Sequence, residues 1–324
     1  MIYNFMPTPS INYFCPESAG FSGGVRRLYR HVAILARNGL PAFIMHSQDG
    51  FRVNGSPLDV PVRYVNSGQL SSGDIVVIPE IFPDIMAGMA KLPLRRFAIP
   101  LNWSSIYGKM AVDVDWRDYG IERVLAVCPF IAESVSWAMG LPVHLLDFAI
   151  NPSLYYYEPE RKRPLVVYIK KKGSLVGPML SMLRSRNPDF LSKIEWRSLD
   201  GVSETDYAAA IREARIFLNL SLAEGLVNSC IEAMRAGTIV AGFDSVGGQG
   251  TLVGEGEGRN CVLAETGDYF RLGKQLEPLL ADIIAGNLSR WNILIRNGRR
   301  FAAPHTPEAE EKSVLEFWRG ILEG

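Results

Sequence analysis

Short apolar runs alternate with amphipathic stretches over nearly the whole 324-residue chain. In the first half, runs at residues 2–6, 42–46, 62–65, 74–78, 96–100, 123–127 and 144–148 have the length of buried strands. Residues 24–38 and 129–139 instead repeat apolar positions every three to four residues, the period of a helix with one buried face. Strand and helix in alternation predict βαβ units and a mostly parallel sheet. The pattern lapses between residues 149 and 164, where an Asn-Pro pair, Tyr155, Tyr156, Tyr157 and a charged, proline-flanked run from Glu158 to Pro164 intervene. That stretch reads as an interdomain connection. Alternation then resumes, with strands predicted at 165–169, 194–198, 216–220, 239–242 and 261–264. The tail is helical, with a break at 303–307 before a last helix over 308–322. Two α/β domains follow, residues 1–149 and 150–306, with a C-terminal helix over 307–324.

Length suits two cores better than one. An apolar share of 48% places the chain among globular proteins and outside the disordered class. The 34 basic and 34 acidic side chains cancel, so nothing global argues for a nucleic-acid partner. No run approaches the ~18–20 apolar residues that cross a bilayer. Residues 1–5 have neither the basic start nor the apolar length of a secretory signal. Cys15, Cys128, Cys230 and Cys261 are scattered without Cys-x-x-Cys spacing, which argues against structural zinc and disulfides and for a cytoplasmic location.

Most of the chemistry lies between Ile216 and Gly237, which read I-F-L-N-L-S-L-A-E-G-L-V-N-S-C-I-E-A-M-R-A-G. A strand-length run breaks at Ser221-Leu222-Ala223-Glu224-Gly225, and helical spacing then continues through Ile231, Ala233 and Met234 to a glycine stop. Two carboxylates, Glu224 and Glu232, bracket the start of that helix. A helix start offers free backbone N–H groups and the positive end of the dipole, which suit a phosphate. Glu232 lies one to one and a half turns in, within reach of a sugar hydroxyl beside the phosphate.

Glu224 and Glu232 have the Glu-x7-Glu spacing of retaining GT-B glycosyltransferases, and Glu232-Ala233-Met234 before Gly237 resembles the helix of the large family that includes phosphatidylinositol mannosyltransferases and sucrose synthases. The lead-in from Leu220 to Gly225 belongs to the same signature, while Val227 stands where the family usually has a second glycine. The resemblance implies a GT-B architecture: two Rossmann-like, doubly wound domains facing a central cleft, with the last helix often crossing back onto the first. It implies metal-independent transfer from a nucleoside-diphosphate sugar, with retention, to an unknown glycan, lipid or small-molecule acceptor. No cofactor is expected beyond the donor, and a peripheral contact with a membrane is compatible with it.

Site roles follow by the same resemblance. Glu232 would hold the ribose hydroxyls and Glu224 the donor sugar, with amides near Gly225, Leu226, Val227 and Asn228 at the leaving diphosphate and Ser221 a further donor-binding residue. Lys170 and Lys172, in Tyr168-Ile169-Lys170-Lys171-Lys172-Gly173, would stand for the family's diphosphate-clamping arginine and lysine. Gly23 and Gly24 match its Gly-Gly loop, and Gly201 its base-contacting segment. Asn102 stands in the segment where the family usually carries a cleft histidine, and with Glu80 it is a candidate acceptor contact. Glu80 also reads as a surface-loop residue. His31, His46, His144 and His305 read as structural. Two rival readings stay open: a non-catalytic sugar- or nucleotide-binding member, and a nucleotide-sugar epimerase. Asp113-x-Asp115 is formally a metal–diphosphate motif but precedes a predicted helix at 116–118. Ser245 to Gly250 invites a dinucleotide reading, but Val253 takes the third glycine's place, so a loop beside the donor is favoured.

Overall fold

The structure, a computed structural model, describes residues 8–17, 22–53, 58–170, 174–224, 226–248 and 250–323. The chain forms two compact units, Met1–Phe148 with Glu308–Gly324, and Ala149–Pro307.

The first unit contains β1 (Ile11–Phe14), α1 (Gly23–Arg37), β2 (Ala42–His46), β3 (Val62–Tyr64), β4 (Ile75–Pro79), α2 (Pro83–Met89), β5 (Arg95–Ile99), α3 (Trp103–Lys109), β6 (Ile121–Ala126), α4 (Pro129–Met139) and β7 (Val143–Leu145). Its strands form a parallel sheet in the order β3-β2-β1-β4-β5-β6-β7, so the first strand is central. Local chemistry explains several boundaries. Ser22 accepts from the Val25 N–H at 3.4 Å and starts α1, which buries Val25, Leu28, Val32 and Leu35 along one stripe. Pro129 opens α4, and Gly140 ends it in the left-handed region.

The second unit contains β8 (Arg163–Tyr168), α5 (Val176–Arg186), α6 (Asp189–Ser192), β9 (Glu195–Ser198), α7 (Glu204–Glu213), β10 (Ala214–Asn219), α8 (Asn228–Arg235), β11 (Ile239–Phe243), β12 (Cys261–Ala264), α9 (Tyr269–Ala285) and α10 (Asn292–Ala302). Its parallel sheet runs β12-β11-β10-β8-β9. One apolar core packs Val166, Ile216, Leu218 and Ala241 of the strands against Met179, Leu183, Leu276 and Leu280 of the helices. The last helix, α11 (Pro307–Glu323), joins the first core through its aromatic residues. Trp318 is fully buried, stacks on Phe97 at 5.6 Å, and donates its indole N–H to the Tyr13 hydroxyl at 2.9 Å. Arg30 of α1 pairs with the buried Glu310 of α11.

Two expectations change. The strand expected at 2–6 lies outside the described residues, whereas Ile11–Phe14, expected to be loop, is the central strand. Asn12 sits in that strand fully buried because its amide donates to Ser10 Oγ (2.9 Å) and the Ile75 carbonyl (3.2 Å) and accepts from Arg63 (3.0 Å). Residues 116–118 form turns rather than a helix, with Trp116 buried beneath them.

Candidate functional site

In the second sheet, β9 lies on one side of β8 and β10 on the other, so the strand order reverses between β8 and β10. At such a reversal the loops leaving the carboxyl ends of the two strands diverge and open a crevice. The loops here are Ile169–Lys170 onward, after β8, and residues 220–227, after β10. Lys171, Lys172, Gly173 and Gly225 lie outside the described residues.

The loop after β10 is built as an extension of the sheet. Ala223 bridges Val246 in parallel, the Glu224 N–H donates to the Val246 carbonyl at 2.8 Å, and the Val246 N–H donates to Leu222 at 3.3 Å. Residue 246 therefore supports the backbone of Glu224 from the loop after β11. Ser245 turns that loop with φ +39°, an uncommon conformation for a residue with a side chain. The buried Ser221 hydroxyl donates to Glu224 Oε1 at 2.7 Å and fixes the carboxylate. Glu224 itself remains half-exposed.

Helix α8 begins directly after Val227, and no side chain caps it. In its first turn the Asn228 and Cys230 N–H groups donate to the Leu226 and Val227 carbonyls at 2.9 Å each. With no side-chain cap, the start of α8 presents the positive end of the helix dipole, which favours an anion. Val227 has φ −80°, which a branched residue adopts without strain, and its side chain is 4% exposed, turned into the core. Glu232 is the fifth residue of α8 and is half-buried. The Tyr207 phenol on α7 feels it directly: burial first, then the Glu232 charge, push the phenol's pKa well above its usual value, with Ser229 acting in the opposite sense. Tyr207 was not singled out from the sequence. Its only signal was its position one turn after the Ser203 cap, which accepts from the Asp206 N–H at 3.1 Å.

On the β8 side, the Lys170 N–H donates to both oxygens of Asp200 at 3.1 and 3.0 Å, and its side chain is exposed. Asp200 is a second residue missed by sequence reasoning. It ties the ends of β8 and β9 together just before Gly201, which is exposed at φ +72° and serves a turn that disfavours side chains. Lys170, Ser221, Glu224, Leu226, Val227, Asn228 and Glu232 thus occupy the two loops and the helix start at this strand reversal.

In the first unit, Gly24, Glu80 and Asn102 converge at the carboxyl ends of the central strands. Glu80 is 2% exposed, which corrects the surface-loop reading. Its two oxygens accept from the N–H groups of Leu101 (2.8 Å) and Asn102 (2.9 Å), so the carboxylate braces the loop after β5. Burial raises its pKa, and those amide bonds act against the rise. Asn102 caps α3 through the Ser104 N–H at 3.0 Å. A Cβ on Gly24 would lie 2.9 Å from Leu101 Cδ1, so the start of α1 packs closely on the loop after β5, and a larger residue there would have to displace the Leu101 side chain. Gly23 is the exposed first residue of α1. His31 is fully buried edge-on to Tyr13, and burial holds it neutral. His46 pairs with the Cys15 carbonyl and the Tyr29 hydroxyl, each at 3.3 Å. Asp115 is bound by Arg117 in two close contacts at 3.0 Å.

No family profile matches the chain. It is 23% identical over 314 residues to an alpha-1,6-glucosyltransferase of Actinobacillus pleuropneumoniae serotype 7 (strain AP76), covering 89% of this chain and 88% of that one. The solved sucrose-phosphate synthase of Thermosynechococcus elongatus superposes with a TM-score of 0.71 at 13% identity, over 97% of this chain and 99% of that one. Anabaena HepE, in complex with UDP and glucose, gives a TM-score of 0.71 at 13% identity, over 96% and 100%. The fold is therefore α/β with two parallel-sheet, Rossmann-like domains, matching GT-B glycosyltransferase structures.

Proposed function

We infer that the protein is a glycosyltransferase that takes a sugar from a nucleoside-diphosphate sugar and delivers it with retention of configuration, without a metal. One observation carries the reading: Lys170, Glu224, the uncapped start of α8 and Glu232 gather where the strand order reverses. As the glycosidic bond breaks, negative charge develops on the leaving diphosphate. Preorganised N–H groups and ammonium groups stabilise that charge best because they need no rearrangement during the reaction. Lys170 and Lys172 supply the cations, and residues near Gly225 to Asn228 the amides. Glu232 takes the ribose hydroxyls, and Glu224, held by Ser221, takes hydroxyls of the donor sugar. When the departing phosphate itself assists deprotonation of the acceptor on the same face, no histidine base is required. Asn102 is the proposed acceptor-side residue, on the loop that the buried Glu80 braces.

UDP-glucose is the donor to try first, because the relative at 23% identity is named a glucosyltransferase and the HepE structure holds UDP and glucose. Calorimetry with UDP and a UDP-release assay with UDP-glucose, in the presence of a chelator, test the reading together. Binding and release are expected, and both are expected to weaken in Glu232→Ala. Binding without release to any acceptor would favour a non-catalytic protein. Failure to bind any nucleoside diphosphate or its sugar would overturn the reading.

A further inference from the structure

The amino edge of the second sheet, opposite the crevice, carries a separate groove of about 550 Å³ lined by Tyr157, Asn292, Ile295, Arg296, Arg299 and Arg300. Tyr157 belongs to the tyrosine run of the connecting segment, which the donor site does not use. Its ring packs on Gly237, where a Cβ would lie 2.3 Å from the ring, just past the C-terminal end of α8. The eight residues of α8 therefore stand between this groove and the crevice, about 12 Å of helix at 1.5 Å per residue.

Arg296, Arg299 and Arg300 are exposed and share one face of α10, three and four residues apart, where like charges repel. None of the three is in an ion pair among the described residues. Elsewhere on the same neutral protein, Arg37, Arg95, Arg163, Arg186 and Arg290 each reach a carboxylate. Glu158, the carboxylate next to Tyr157, is taken by Arg161 and Arg212. Arg299 is held in place, its guanidinium 4.6 Å from the centre of the Tyr157 ring.

Three unpaired guanidinium forks around one concavity match the oxygens of a phosphate, which carries close to two negative charges and accepts in bidentate fashion. Tyr157 and Ile295 add an apolar wall for whatever carries that phosphate. We propose that this groove is a second anion site, separate from the donor crevice, that binds a phosphate monoester or diphosphate group. A soluble phosphate ester and an anionic lipid headgroup present the same chemistry.

The test uses the full chain with the donor crevice saturated with UDP, inorganic pyrophosphate by calorimetry, and flotation with phosphatidylcholine vesicles doped with phosphatidic acid, whose headgroup is a phosphate monoester. Arg296→Gln/Arg299→Gln is compared with Arg184→Gln, an exposed arginine on α5. Because the substituted side chains are exposed, the fold is expected to stand, with melting temperature as the check. A charge-assisted bond contributes about ten-fold in affinity, so the double variant should lose pyrophosphate binding by at least about ten-fold while UDP affinity is unchanged. Arg184→Gln should match the wild type. Pyrophosphate binding lost in the double variant supports a soluble ligand. Vesicle binding without pyrophosphate binding, abolished in the same variant, supports the site with a lipid headgroup as its source. Pyrophosphate and vesicle binding that survive the double substitution, or that are absent from the wild type, overturn the proposal.

Discussion

Lys162 lies in the connecting segment, yet its side chain is buried, and its titration makes a quantitative prediction. Its ammonium donates to the carbonyls of Ile211 (3.3 Å) and Ala214 (3.0 Å) and to Thr238 Oγ1 (2.6 Å), tying the end of α7 to the start of β11. Burial first, then the charge of Arg215, pull its pKa from 10.5 down to about 7. In the unfolded chain a lysine titrates near 10.4, and each pKa unit corresponds to about 1.36 kcal/mol. The folded protein therefore carries a penalty of up to about 4–5 kcal/mol for keeping this group charged below pH ~7. Three acceptors matched to three ammonium donors work against that penalty, so about 2–4 kcal/mol is the expected range. Between the folded and unfolded pKa values the unfolded chain binds the extra proton, so stability rises with pH from about 7 to about 10. Lys162→Met removes the titration and strands buried acceptors, so the variant should be less stable overall but lack this rise. Urea unfolding of both proteins at about pH 7 and about pH 9.5 gives the comparison, and their difference cancels every other titrating group. Parallel pH profiles would refute the reasoning and mean that the ammonium is fully compensated in place.

Glu232→Ala should weaken nucleoside-diphosphate binding by about ten- to a hundred-fold, and Glu232→Gln by less, since a hydrogen bond to a charged group is worth roughly 1.5–3 kcal/mol; calorimetry decides, and unchanged affinity removes Glu232 from the site. Lys170→Ala and Lys172→Ala should each lower turnover about ten-fold with the melting temperature nearly unmoved. A cation that serves the diphosphate rather than the fold costs little stability when removed, and an exposed charge such as that of Lys170 contributes under ~1 kcal/mol. Lys171→Ala should do little, and equal small effects at all three would return the run to a solvated turn. Ser221→Ala frees the Glu224 carboxylate from its 2.7 Å donor, so kcat should fall by about ten-fold while UDP affinity holds. A matching fall in UDP affinity would show that Ser221 acts on the diphosphate instead.

Features governed by local pattern were legible. The spans of β2, α4 and β12 coincide with the predicted ranges because apolar spacing, an opening proline and a closing glycine all act within a few residues. The start of α8 and the depth of Glu232 within it were legible for the same reason. Features set by distant partners were not. Asn12 interrupts the apolar run of β1, and what makes it a core residue comes from Ile75 and Arg63, more than 50 positions away. Glu80 looked like a loop carboxylate because the amides that bury it arrive 21 and 22 residues later. Lys162 looked like part of a solvated run, although its acceptors lie 49 to 76 residues ahead. Within the site, Ser221 and Glu224 were visible as residue types, but the support from Val246 was not, because it depends on a turn at Ser245 that no local preference favours.

The central claim is sugar transfer with retention, and the first-formed anomer tests it most directly. The donor is UDP-glucose, whose glucose is α-linked, with water as the default acceptor. Time-resolved proton NMR reads the released sugar before it mutarotates. Retention predicts α-glucose first, appearing with UDP and lost in Glu224→Ala. Initial release of β-glucose would contradict it.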